Sequence, residues 1–268
     1  VMRRVTKMAL PAFMSSLLVY LMNLLNYVIL AAYADYSSIA SYGIVSSYTN
    51  LAAGFFVPLS LGIGYMMERA QKENDAIHLQ KVIHSVSIVA FLFGVFSAAF
   101  GFLIAPAYVW QVVTPAEISE ATTMFLRFFA FTYIPIIFFS MSTTILIQFG
   151  ERTAPVMAEV SALALHASFS YIFIGLFHWD IRGIAISAIV AQTIGSLINT
   201  HQLFQRMRKF IARPPVRVDW SIIRELAKEE RTVLFIAVGG GVFTIFLQFF
   251  IDELGVATIA GFALFFLF

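Results

Sequence analysis

The sequence contains no cysteine, so neither a disulfide framework nor a thiolate metal site is available to it. It is also short of charge. Asp, Glu, Lys and Arg make up 12% of the chain, against about a quarter in soluble domains. No phosphate loop ending in Gly-Lys, no metal-ligand cluster and no nucleophile elbow occurs, which argues against nucleotide-driven pumping and against an intramembrane enzyme, for which no catalytic pair is evident. A net charge of +2 would suit nucleic acid, but the placement of the basic residues excludes that reading in favour of membrane orientation. What the chain does have is apolar surface. Of its 268 residues 60% are hydrophobic, 29 are Phe, and the mean hydropathy is +0.86. Such an excess must face lipid.

A helix needs about 20 apolar residues to cross the hydrocarbon, with its backbone polar groups satisfied internally. Seven stretches free of Asp, Glu, Lys and Arg are long enough: 8–34, 36–67, 82–116, 128–150, 160–179, 183–205 and 232–251. The first follows Arg3, Arg4 and Lys7 and reads as a retained span rather than a signal peptide. An eighth begins near Val256 and is too short by Phe268, so the chain reads as ending inside a helix. The expected fold is all-α, a polytopic bundle of membrane helices.

With the N-terminus inside, every one of the 17 Lys and Arg residues except Arg127 and Arg182 falls in an inner segment. The positive-inside rule then places the N-terminus in the cytosol of a multi-pass cell-membrane protein. Tyr33, Tyr36, Tyr108, Trp110 and Trp179 fall at outer helix ends, where aromatic belts sit. The one long polar connection, 209–231, contains Arg213-Pro214-Pro215, which breaks the preceding helix. Asp219 is then the expected N-cap of a short helix from Trp220 to Lys228, resting at the cytosolic interface with Trp220, Ile223 and Ala227 on one face. Ile39–Gly43 is echoed weakly by Ile259–Ala263 across this linker, as internal repeats would require. Residues 1–208 are therefore a six-helix lobe, 209–231 a cytosolic linker, and 232–268 the start of a second lobe.

Four local patterns carry a resemblance: Ala9-Leu10-Pro11, Leu61-Gly62-Ile63-Gly64, Gly150-Glu151-Arg152-Thr153-Ala154-Pro155, and Gly183-Ile184-Ala185-Ile186-Ser187 with Gln192 beyond. On these the chain resembles the multidrug and toxic compound extrusion (MATE) family of the polysaccharide-flippase superfamily, along essentially its whole length. The resemblance implies twelve helices in two six-helix lobes around a central cavity. It implies a monomeric exporter of amphipathic, often cationic compounds, driven by inward H+ or Na+ and using no other cofactor. A lipid-linked oligosaccharide flippase of the same superfamily is the alternative, disfavoured by membrane segments almost free of Lys and Arg. A seven-helix sensor fits the repeat and the partial eighth span poorly.

The resemblance also implies a cation site in the N-terminal lobe, built from an Asp on the first helix and an Asn and Asp on the fifth. Aligning the flanking residues puts Asn26, His166 and Ser170 at those three positions. Both carboxylates are missing, so the simple transfer of that site fails. The fifth helix has a pattern of its own, because Glu159, His166 and Ser170 at i, i+7 and i+11 share one stripe. Three readings stay open: a proton-carrying Glu–His pair on a cavity face, a direct substrate contact, or a solvated Glu159 beside a His166 that bonds a neighbouring helix. On the first helix Ser16, Tyr20, Asn23 and Tyr27 form a second stripe that could line a cavity or join helices, and Tyr133 on the fourth span could point inward.

Overall fold

The computed structural model describes residues 2–72, 76–112, 116–208 and 219–229. The predicted spans after residue 230 and the side chains of Pro11, Ser16 and Pro58 lie outside the described residues. The described part is helical without strands: α1 (Met2–Tyr33), α2 (Tyr36–Lys72), α3 (Ala76–Val112), α4 (Ala116–Ala130), α5 (Tyr133–Gln148), α6 (Thr153–Ser170) with a π turn continuing it (Tyr171–Leu176), α7 (Asp180–Met207) and α8 (Trp220–Glu229). Three helices, 77–111, 153–176 and 180–207, are long and apolar enough to cross a membrane, and α4 with α5 qualifies as a bent pair. The multi-pass architecture expected from the charge-free runs is present.

The fourth span differs from the charge-free run at 128–150, because its first half begins at Ala116. Demanding a run without charge cuts this element in two, since α4 is one-sided. It buries Ile118, Thr122, Phe125 and Leu126 while exposing Glu120, and Arg127 lies over the Phe102 ring at 5.2 Å. The 42° bend between α4 and α5 has an identifiable cause. Pro135 has no N–H, and its ring would meet the carbonyl of Phe131 in a regular helix. The chain tightens there instead, with Phe131 N–H donating to Phe128 O (3.1 Å) and Thr132 N–H to Phe129 O (2.8 Å). The Thr132 hydroxyl adds a bond to the same Phe129 carbonyl.

Between α5 and α6 Gly150 takes φ +81°, a left-handed value that a side chain would resist. Gly150 and Glu151 N–H groups satisfy the last carbonyls of α5 at Ile147 and Leu146, and Glu151 pairs with Arg206 near the end of α7. Pro155 falls in the first turn of α6, where a missing N–H costs nothing. Helices α6 and α7 then pack closely because their facing residues are small. A Cβ on Gly195 would lie 2.9 Å from Ala162 Cβ, and one on Gly183 2.8 Å from Ile174 Cγ1. The apolar core runs through Leu30, Ile63, Val82, Phe125, Ile145 and Ile174.

At the opposite end of α6 the chain turns sharply. His178 and Asp180 both have positive φ, 53° and 46°, and Trp179 stacks on Phe173 with centroids 5.0 Å apart. Left-handed backbone costs a non-glycine residue about 1–2 kcal/mol, while glycine loses more chain entropy on folding. His178→Gly should therefore stabilise the protein by about 0.5–1 kcal/mol net, read as a raised unfolding temperature in detergent.

The short helix α8 forms as the linker sequence leads one to expect. The Asp219 carboxylate accepts from the Ser221 hydroxyl (2.6 Å) and N–H (3.0 Å), the N-cap geometry. These bonds hold the Asp219 carboxyl below the usual carboxylate range. Its buried face is not the Trp220 face. Ile222 and Leu226 pack down onto α2 and α3, while Trp220 is 72% exposed.

A buried polar cluster between four helices

Asn26 on α1 is buried, and its neighbours account for both ends of its amide. Nδ2–H donates to the Tyr42 hydroxyl of α2 at 2.8 Å, and Tyr42 O–H donates onward to Asn23 Oδ1 at 3.1 Å. Oδ1 of Asn26 lies 2.7 Å from His166 Nε2 on α6. Because Asn26 Nδ2 is already committed to Tyr42, that oxygen must be the acceptor. His166 therefore carries its proton on Nε2, an assignment made from the network.

The other ring nitrogen faces one hydroxyl. His166 Nδ1 lies 3.2 Å from Ser187 Oγ on α7. Ser187 Oγ is also 2.6 Å from Ser170 Oγ and 2.8 Å from the Ile184 carbonyl. Ser170 Oγ itself is 3.4 Å from His166 Nε2. His166, Ser170 and Ser187 are fully buried, so water cannot substitute for these partners and each hydrogen has few places to go.

One hydrogen has two. If His166 is neutral, its Nδ1 lone pair accepts from Ser187 O–H. If the ring takes up a second proton, Nδ1–H donates to Ser187 Oγ, whose own hydrogen turns to the Ile184 carbonyl. Ser170 O–H can donate to Ser187 Oγ in both cases. A rotation of one hydroxyl thus accommodates either protonation state without moving a heavy atom. The bonds within the cluster involve no carboxylate, lysine or arginine, and no group of three His, Asp or Glu able to hold a metal exists among the described residues.

Of the residues singled out in the sequence, Asn26, His166 and Ser170 come together. Glu159 is half-buried two turns away, about 10 Å along the α6 axis, and none of the three bonds of His166 goes to it. Asn23 joins through Tyr42. Tyr27 is buried edge-on against Tyr42, with ring centroids 4.9 Å apart. Tyr133 is buried beside Phe129 at the start of α5. Tyr20 is 57% exposed on the surface of α1. Two members were missed in the sequence, Tyr42 and Ser187. Tyr42 stood only in the weak repeat, and Ser187 only in the Gly183–Ser187 motif. A second buried amide, Asn199 on α7, donates to Thr143 Oγ1 (2.8 Å), Ser142 Oγ (3.2 Å) and the Phe139 carbonyl (3.2 Å) of α5. It had no signal beyond its helix.

Comparison with known proteins is consistent with this frame. A family model described as MatE matches residues 11–172. No curated protein sequence matches the chain. Among solved structures, an inward-facing multidrug resistance MATE family transporter of the MOP superfamily is 16% identical, with TM-score 0.76, covering 91% of this chain and 56% of that one. The MATE multidrug transporter DinF-BH is 16% identical with TM-score 0.81, covering 95% and 58%. A MOP superfamily transporter from Pyrococcus furiosus, described as having a binding pocket of reverse polarity, is 15% identical with TM-score 0.75, covering 85% and 51%. At these identities the likeness is one of fold, and this chain spans little more than half the length of each.

Proposed function

The chain belongs to the MATE family, and on that premise we propose that the full-length protein is a monomeric secondary exporter in the cell membrane, N-terminus cytosolic, exchanging amphipathic cations for protons rather than sodium. It is a transporter and not an enzyme. The observation that carries the coupling ion is His166, bonded at both ring nitrogens in a buried cluster that has no carboxylate. Sodium needs several converging oxygens to replace its hydration shell, and here the oxygens of Asn26, Ser170 and Ser187 are engaged in hydrogen bonds with His166 and with one another. A proton needs one basic nitrogen and a way to rebalance the hydrogen bonds around it, and the Ser187 hydroxyl supplies that. The exposed face of α1, with Leu17, Tyr20, Leu24 and Val28, supports a wall for an apolar cation. The near absence of Lys and Arg from the spans disfavours a pyrophosphate-carrying substrate.

The test is transport by the full-length protein in vesicles. A proton gradient should drive export of a fluorescent amphipathic cation, and a sodium gradient at equal pH should not. Export driven by sodium alone would overturn the coupling ion. Movement of a lipid-linked pyrophosphate substrate, with no efflux of the cation, would establish the flippase instead. Orientation is tested by single cysteines: one at Asp180 should react with an impermeant reagent in intact cells, and one at Asn74 only after lysis. Labelling of Asn74 from outside would reverse the topology.

A further inference from the structure

Helix α8 has two faces with opposite chemistry. Ile222 and Leu226 are buried on α2 and α3, and Glu225 is neutralised by Arg69 of α2. On the opposite side Trp220, Arg224 and Lys228 follow one another at i, i+4 and i+8, all exposed. Neither Arg224 nor Lys228 is ion-paired among the described residues. The basic groups of the neighbouring helix end are already engaged, since Arg69 holds Glu225 and Lys72 holds Glu68. The face is thus a tryptophan followed by two cations that are uncompensated among the described residues.

Its depth is fixed by one bond. Asp219 N–H donates to Ser85 Oγ of α3 at 3.1 Å. Ser85 lies one turn inside the stretch of α3 that begins at Val82, after its last charge at Lys81. The start of α8 is therefore level with the boundary between hydrocarbon and headgroups. Trp220 sits where an amphipathic ring is favoured, and Arg224 and Lys228 lie one and two turns further along.

We propose that this face of α8 binds the phosphate headgroups of anionic phospholipids in the leaflet beside the inner ends of α2 and α3. Trp220 enters the interface, and the guanidinium of Arg224 and the ammonium of Lys228 contact lipid phosphate. Charge complementarity selects the occupant: two exposed cations at headgroup depth, without an ion-pair partner among the described residues, attract anionic lipid. A protein partner seated on the same face would have to displace that lipid.

The experiment uses the full-length protein with Trp110→Phe and Trp179→Phe, so that Trp220 is the tryptophan of this region. It is reconstituted in phosphatidylcholine vesicles, with or without an equal part of phosphatidylglycerol, one lipid at a time carrying brominated chains. Brominated phosphatidylglycerol should quench Trp220 more than brominated phosphatidylcholine at equal mole fraction, and added salt should reduce the difference. Arg224→Gln and Lys228→Gln should each lower the lipid preference by about fivefold. Equal quenching by the two lipids would reduce the contact to a purely apolar one and overturn the proposal. So would absence of quenching by either, which would mean that protein covers Trp220. If the tryptophan replacements prevent folding, the same preference is read on the unaltered protein, as enrichment of phosphatidylglycerol over phosphatidylcholine among co-purified lipids. Loss of that enrichment in the Arg224→Gln, Lys228→Gln protein is the expected result, and its persistence the overturning one.

Discussion

Vesicles carrying His166→Gln should bind an amphipathic cation and export none of it under a proton gradient, down to the rate of protein-free vesicles. Glutamine keeps much of the volume and can donate to Asn26 Oδ1, so the packing between α1 and α6 has a reason to survive. It has no basic nitrogen opposite Ser187, so the cluster loses its one basic site. Ser187→Ala separates the two roles. It leaves the imidazole in place but removes the hydroxyl that accepts from Nδ1–H when the ring is charged. The neutral ring loses its donor as well, so both protonation states lose a hydrogen bond. Ser187→Ala should therefore slow proton-driven efflux per folded molecule while cation binding persists. A merely structural serine would lower the amount of folded protein and leave the rate per molecule unchanged. Glu159→Gln provides the remaining contrast. It should leave driven efflux intact, because Glu159 shares no bond with His166. Wild-type efflux in His166→Gln would assign the cluster to packing and move the coupling elsewhere in the full-length protein.

Gly195→Leu should have the largest effect on folding. The glycine lets α7 approach Ala162 so closely that even a single Cβ would come within 2.9 Å of it and 3.5 Å of the Ala158 carbonyl. A leucine there must push the two helices apart, at a cost of about 1–3 kcal/mol or more for overpacking. Ala162 is one turn from His166 on the same helix, so the separation also opens the contact between His166 and Ser187. The expected outcome is loss of the monodisperse peak in detergent chromatography, with residual folded protein that no longer exports. Gly195→Ala should be milder, and adding Ala162→Gly to it should restore stability, since the pair competes for one space. If Gly195→Leu ran as wild type, the close approach of α6 and α7 would not be needed by the fold.

The sequence made the bundle legible because lipid imposes a coarse rule, about 20 residues without charge, and most of these spans obey it. The rule failed at α4, where burial is one-sided and Arg127 finds an aromatic face. It also truncated the start of α6, whose second turn carries Glu159 near a helix end. The site was half legible. His166 and Ser170 share a stripe four residues apart, which one helix displays by itself, and Asn26 came through the family resemblance. Tyr42 and Ser187 lie 16 residues from Asn26 and 21 from His166 along the chain. No periodicity links such positions, since only the packing of α2 and α7 brings them in. The identity of Ile222 and Leu226 as the buried face of α8 was likewise invisible, because a short amphipathic helix has two apolar flanks and only its neighbours decide between them.

The π turn at Tyr171–Leu176 amounts to an inserted residue that the helix absorbed instead of looping out. Upstream of it the phase of α6 is set by Ala162, His166 and Ser170 against α7; downstream it is set by Ile174 packed under Gly183. The extra residue is the joint that lets both halves keep their own register. Length changes in this stretch are thus not equivalent to length changes elsewhere in the bundle. A helix that can take up one residue here can also give one back, so the loop after it can drift in evolution while the phase of His166 stays where Asn26 and Ser187 require it.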